Sequence, residues 1–167
     1  FTDCPAYEQA FWLGDAQTSA AVNAYVYGDH SFIRHNIRMG ASAYDNSPLF
    51  NALTPTDWNT SIPMWTMNWI ISIADYLKIS GGETILTAIY GDVKRALDYY
   101  ETLLDEDGGF VVHSWNLIDW AHLDTPEGYV LTAYQGMLAY CFDVFADFTS
   151  ALSSGISRFV SITMRSG

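Results

Sequence analysis

The sequence predicts an all-α fold whose helices come in pairs. Apolar residues recur at helical spacing over several long stretches, and Gly and Pro punctuate the gaps between them. Stretches that are apolar nearly all round also alternate with stretches apolar on one side, the pattern of an inner and an outer helical layer. With 167 residues the chain is the size of one ordinary domain and can bury a real core.

The first helix is expected over 14–27. Ala16, Ala20, Val22, Ala24, Val26 and Tyr27 fall on several of its sides, as in an inner helix packed all round. Gly28 closes it, and Asp29 or Ser31 caps the next. That second helix carries Phe32, Ile33 and Ile37 on a narrower stripe, with Arg34 and Arg38 beside it, and forms a hairpin with the first. Residues 44–61 read as a polar loop interrupted by Pro48 and Pro55. Loops of this length without periodicity are often functional. Trp58 within it either faces a ligand or anchors the loop.

A third helix is expected over 63–80, opened by Pro63 and stopped by Gly81-Gly82. Its Met64, Trp65, Met67, Trp69, Ile70, Ile71, Ile73 and Leu77 leave little polar surface. The fourth, over 83–104, repeats Ile85, Leu86, Ile89, Val93, Leu97 and Tyr100 on one face and turns Lys94, Arg95 and Glu101 outward. The two make a second hairpin. After a turn at 105–109 and a short extended stretch at 110–113, the cluster Trp115-Asn-Leu-Ile-Asp-Trp120 precedes a fifth helix over 129–148. This helix is again apolar nearly all round and is expected to be inner. Residues 149–167 read as an irregular, Ser-rich tail.

Bulk properties exclude several functions. A net charge of −12 argues against nucleic-acid and anionic-membrane partners, which need clustered Lys and Arg. The fifth helix is long enough to cross a bilayer, but Asp143 and Asp147 within it argue against a membrane span. Cys4 and Cys141 make no disulfide framework, and no Cys/His spacing suggests zinc, so no metal or cofactor is expected. His113 and His122 read as local hydrogen-bonding residues, and Cys4 as a small apolar packing residue. Asn59-Thr60-Ser61 is a glycosylation sequon of the kind that arises by chance. A chain beginning at Phe1 is expected to be a processed or excised piece. The aromatic content, 16%, is high, so either the core is very aromatic or some of that surface belongs to a pocket or a partner.

The chemistry concentrates in Asp3-Cys-Pro-Ala-Tyr-Glu-Gln-Ala-Phe-Trp-Leu-Gly-Asp15. Carboxylates beside indole faces suit a sugar pocket: the acids take hydroxyl hydrogen bonds and move protons, and the rings shelter the apolar side of a pyranose. The other reading of the same residues is an acidic first turn suited to the helix dipole.

This segment resembles the signature of the α-L-rhamnosidases of glycoside hydrolase family 78. The resemblance implies part of an (α/α)6 toroid, about two and a half of its six hairpins, with residues 1–148 family-like. It implies Glu8 as the general acid, Asp3 and Asp15 as hydroxyl-binding carboxylates and Trp12 as an aromatic wall. Tyr7 stands where many members carry a sugar-contacting Arg. Asp119 and Trp120 resemble a second pocket-lining loop and are candidate substrate contacts; the alternative is a turn buttressed by two indoles. The implied reaction is inverting hydrolysis of terminal α-L-rhamnosides, which needs a second carboxylate to activate water across the ring. In the family that base is a glutamate of the last hairpin. Glu127 is the one helix-start glutamate here to set against it, so the chain alone is expected to be inactive or nearly so. If residues 8–15 are helical, Trp12 covers Glu8 from i+4 and shields its carboxyl from water. Two further readings stand beside this one: another activity on the same toroid, and a non-catalytic sugar-binding or self-associating helical module.

Overall fold

The structure is a computed structural model that describes residues 2–4, 6–43, 50–82 and 84–154. Expectations that fall on Pro5, on 44–49, on Glu83 or on the tail at 155–167 lie outside those residues. The described residues form five helices and no strand ladder: α1 (Leu13–Val26), α2 (Ser31–Ser42), α3 (Pro63–Ser80), α4 (Thr84–Glu101) and α5 (Thr132–Ser154). None is long and apolar enough to cross a membrane.

Helix ends follow local chemistry. Gly28 takes φ +65 after α1, and the Asp29 carboxylate then accepts the Ser31 N–H at 2.8 Å, opening α2. These hydrogen bonds from Ser31 hold the Asp29 carboxyl below its ordinary range. Pro63 occupies the first turn of α3, and Gly81 closes it at φ +63, a left-handed conformation that costs a glycine least.

The helices lie in two layers. α3 sits between α1 and α5, while α2 and α4 pack behind that row. α3 is buried almost all round, with Met67, Trp69, Ile70, Ile73 and Leu77 at most 2% exposed, as expected of an inner helix. The Trp69 indole N–H crosses to the Ile37 carbonyl of α2 at 2.9 Å, and the Tyr100 hydroxyl of α4 reaches the Pro63 carbonyl at 3.1 Å. These two buried polar groups are thereby satisfied in the apolar interior. The architecture is that of a partial six-hairpin toroid: two hairpins and a fifth helix.

α1 and α5 lie in the inner row as expected, but the all-round packing expected of them is corrected. α1 is not packed all round: it buries Leu13, Gly14, Ala20 and Asn23 but leaves Val22, Tyr25, Val26 and the adjoining Tyr27 exposed. α5 likewise buries one stripe, Tyr134, Leu138, Cys141, Val144, Phe148 and Ala151, and exposes the face of Tyr140, Asp143 and Asp147. Within the row α3 has a neighbour on both flanks and these two have one on a single flank, so similar compositions meet different surroundings. Boundaries also differ. α5 starts three residues later than expected and runs on through 149–154, where its Ser and Thr hydroxyls bond back to carbonyls one turn earlier, as Thr149 and Ser153 do. α4 stops at Glu101 because 102–104 turn back to meet Phe110.

Candidate functional site

Three loops converge at one end of the inner row. The opening segment reaches α1 through an extended stretch stitched to the 50–54 loop: Leu13 N–H donates to the Ala52 carbonyl at 2.9 Å and Thr54 N–H to that of Phe11 at 3.1 Å. Ala52 N–H donates in turn to the Thr60 carbonyl at 2.8 Å, which brings Trp58 over Trp12. The third loop joins through the Ser114 hydroxyl, which donates to the Ser61 carbonyl at 2.7 Å. Its far side is held by buried Asn116, which reaches the Val112 and Pro126 carbonyls at 3.3 Å each, and by the Tyr134 hydroxyl on the Leu117 carbonyl at 3.1 Å.

Between the loops lies a cleft of about 500 Å³, within the range of small-molecule sites. Asp3, Glu8, Trp12, Asp15, Trp58 and Trp120 all line it; they had been singled out in the sequence across more than a hundred positions. The indoles meet edge to face, Trp12 against Trp58 at 6.0 Å and against Trp115 at 6.5 Å, and Trp115 against Trp120 at 6.0 Å. Such a wall offers ring faces and edges to an apolar ligand surface while the carboxylates supply the polar contacts.

The segment before α1 is not helical. Residues 6–8 form a turn, Gln9 takes φ +53, and Ala10 comes back beside Asp3. There the Asp3 N–H donates to the Ala10 carbonyl at 2.9 Å and the Ala10 N–H donates to the Asp3 carboxylate at 3.0 Å. Trp12 still reaches Glu8, but through a hydrogen bond from its indole N–H to the carboxylate at 2.7 Å. The expected shielding by the ring at helical i+4 is therefore corrected. Glu8 is exposed, because the turn lifts it off the helix axis, and the indole grips it by its edge.

The two aspartates are pushed in opposite directions. Desolvation raises the Asp3 carboxyl, but hydrogen bonds from Cys4, Ala10 and Glu8 outweigh it and hold the group below its ordinary value. At Asp15 the balance is reversed: desolvation in the cleft outweighs the hydrogen bond from its own backbone N–H, and the charges of Asp3 and Glu8 raise it further. A cleft that holds one acid ionised and favours protonation of another can accept and donate hydrogen bonds to the same ligand.

Two expected contacts are not in the cleft. Tyr7 is 91% exposed on the outer side of its turn. Asp119 is also exposed, its carboxylate folded back onto the Trp120 N–H at 2.7 Å, so it holds the turn. Glu127 is exposed and lies outside the cleft as well. Conversely, Trp65, Trp115, Leu53 and Ile62 line the cleft without having been proposed for it. Trp65 had been read as core. It sits on the first turn of α3, the end that meets the loops, and that position was its available signal. Its indole packs on Gly14, where a Cβ would lie 2.6 Å from Cδ2, so a glycine there lets α1 approach. Its Nε1 is buried and finds no partner among the described residues, a donor left for a ligand or water. No group of three or more His, Cys, Asp or Glu side chains among the described residues could hold a metal ion.

Residues 1–154 match the family model described as the bacterial alpha-L-rhamnosidase six-hairpin glycosidase domain. Among solved structures, the chain is similar to the family 78 rhamnosidase of Bacillus sp. GL1, with 31% identity, a TM-score of 0.87, and coverage of 95% of this chain and 16% of that one. It is also similar in fold to a rhamnosidase from Klebsiella oxytoca, solved with rhamnose bound, at 19% identity and a TM-score of 0.75. That match covers 98% of this chain and 31% of the other. The chain thus spans less than a third of the length of either structure. No curated protein sequence matches it.

Proposed function

Because the chain belongs to the bacterial α-L-rhamnosidase six-hairpin glycosidase family, we propose that its cleft binds the terminal α-L-rhamnosyl unit of a glycoside and carries the acid half of an inverting hydrolysis. The observation that carries this reading is the convergence of Asp3, Glu8 and Asp15 with Trp12, Trp58 and Trp120 on one cleft. Asp3 and Asp15 bind sugar hydroxyls, and the indoles cover the apolar ring face and methyl group of a 6-deoxy sugar. Glu8, exposed at the cleft and oriented by the Trp12 N–H, gives its proton to the glycosidic oxygen as the bond breaks. Trp65 and Trp115 complete the wall.

The water-activating base is assigned elsewhere than these five helices. An inverting pair stands ~6.5–9.5 Å apart across the sugar, and the remaining carboxylate considered for the part, Glu127, does not line the cleft. The domain reading, a piece of a catalytic toroid over the whole chain, follows from the same reasoning. So does self-association through the exposed apolar faces of α1 and α5, the feature that favours the alternative of a helical binding module.

Calorimetry with methyl α-L-rhamnoside is the direct test. Binding is expected, with about a tenfold or greater loss in Asp3→Asn, since an anionic hydrogen bond contributes ~1.5–3 kcal/mol. No binding by the native chain, or unchanged binding in the variant, overturns the assignment. Robust release of rhamnose from an aryl rhamnoside by the 167 residues alone would instead refute the placing of the base outside them.

A further inference from the structure

The C-terminal halves of α1 and α3 enclose a second concavity, away from the first turns where the cleft opens. It is a groove of about 260 Å³ lined by Ala20, Ala21 and Ala24 of α1, Ile33 of α2, and Tyr76 and Ile79 of α3. Alanine side chains along α1 keep that wall apolar and leave room between the helices for a larger apolar group. Tyr25 stands at the lip of the same groove with 93% of its surface in solvent, so its own ring does not fill it. A large exposed aromatic beside an unfilled apolar groove makes a surface that is its own complement. We propose that the groove takes the Tyr25 ring of a second copy of this chain, and that two copies form an isologous dimer in which each ring docks in the other's groove.

The proposal rests on the self-association reading given above and selects the α1 face over that of α5. In a two-fold contact the same patch serves on both copies, so it has to tolerate its own charges. The chain carries a net charge of −12, yet after Asp15 α1 contains no charged residue. Its exposed side presents Thr18, Ala21, Val22, Tyr25 and Val26. The two charged residues at the groove are of opposite sign: Lys78 and Asp75 of α3 lie 3.7 Å apart at the surface, and a two-fold contact can pair them crosswise. The exposed side of α5 fails the same requirement. Asp143 and Asp147 are both exposed there, and an α5–α5 contact sets them against their own copies. Against α1 they lose water and meet no cation from that helix, an unpaired burial that opposes association. The assembly therefore closes at two copies, because an isologous patch is used up once both chains have engaged it.

Sedimentation equilibrium, with circular dichroism checking the fold of each variant, tests this by complementation. The native chain is expected to reach the mass of a dimer and no higher. Tyr25→Ala removes the ring and keeps the groove open, whereas Ala21→Phe keeps the ring and fills the groove. Each alone is expected to weaken the dimer about a hundredfold, roughly tenfold for each ring undocked. An equimolar mixture restores one ring in one groove, so it is expected to associate about tenfold more tightly than either variant by itself. Asp147→Lys on α5 is expected to leave the dimer constant within about threefold. A mixture no tighter than its components, a dimer lost in Asp147→Lys, or a native assembly larger than two overturns the two-fold arrangement, while the broader self-association reading stands. A native chain that is monomeric at every concentration overturns both and gives the groove to a different partner. Should Ala21→Phe fail to fold, Ala21→Glu takes its place in the mixture, blocking the groove with a carboxylate, with the same outcomes expected.

Discussion

Asp3 and Asp15 show how two chemically identical side chains diverge within one cleft. Asp3 collects N–H donors from a closed loop, and Asp15 sits on the first turn of α1 facing desolvation and two neighbouring charges. The signs of their linkage to stability are opposite. Asp3, depressed in the fold, contributes stability above the ordinary value of 3.8 that is lost as pH falls through its lower folded value. Asp15, raised in the fold, binds its proton more tightly when folded, so its contribution is present below 3.8 and is lost as pH rises through its folded value. Asp15→Asn is therefore expected to be more heat-stable than the native chain at pH 7, with the advantage shrinking toward pH 3. Thermal unfolding followed by circular dichroism at the two pH values checks this. An equal shift at both would show that the Asp15 charge is not what the fold resists. The same substitution removes a carboxylate from the cleft, so on the proposed reading it trades binding for stability, as functional sites commonly do.

At the scale of helices, two glycines set how closely the layers approach. Gly14 of α1 lies against the Trp65 indole, and Gly40 of α2 lies against the Trp69 indole, where an added Cβ would overlap Nε1 and Cδ1. The Trp69 N–H is also committed to the Ile37 carbonyl, so that ring cannot swing away without leaving a buried donor unpaired. Gly40→Ala is expected to destabilise the fold by about 1–3 kcal/mol through overpacking, read as a lower urea midpoint at unchanged slope. A midpoint equal to the native one would mean that the α2–α3 spacing is looser than the contact implies. The outer face of α4 offers a contrast. Lys94 pairs with Asp98 and Arg95 with Asp92 at the surface, where such pairs contribute little.

Over the molecule as a whole, the inner row has one helix enclosed and two with an open side. Tyr25 is 93% exposed on α1, beside Val22, Val26 and Tyr27, an apolar surface of the kind that marks an interaction site. Sedimentation velocity over a concentration series is expected to show self-association of the 167-residue chain, weakened by Tyr25→Lys, which places a charge in the middle of that face. A single monomer species at all concentrations would remove the association proposal, while leaving the reading of the cleft untouched.

By itself, the sequence determined the all-helical class, the five helices of the described residues, their hairpin pairing and six of the side chains that line the cleft. Periodicity, Gly and Pro punctuation and the acidic-aromatic segment are local signals, and local signals survive in one dimension. It misread the surroundings of α1 and α5, because an apolar helix carries no mark of which neighbours it will meet. It likewise missed Trp65 as a cleft wall. Tertiary structure alone decided those, since they depend on which loop folds back on which helix end. An indole reads as core until the end of its helix opens on a cleft.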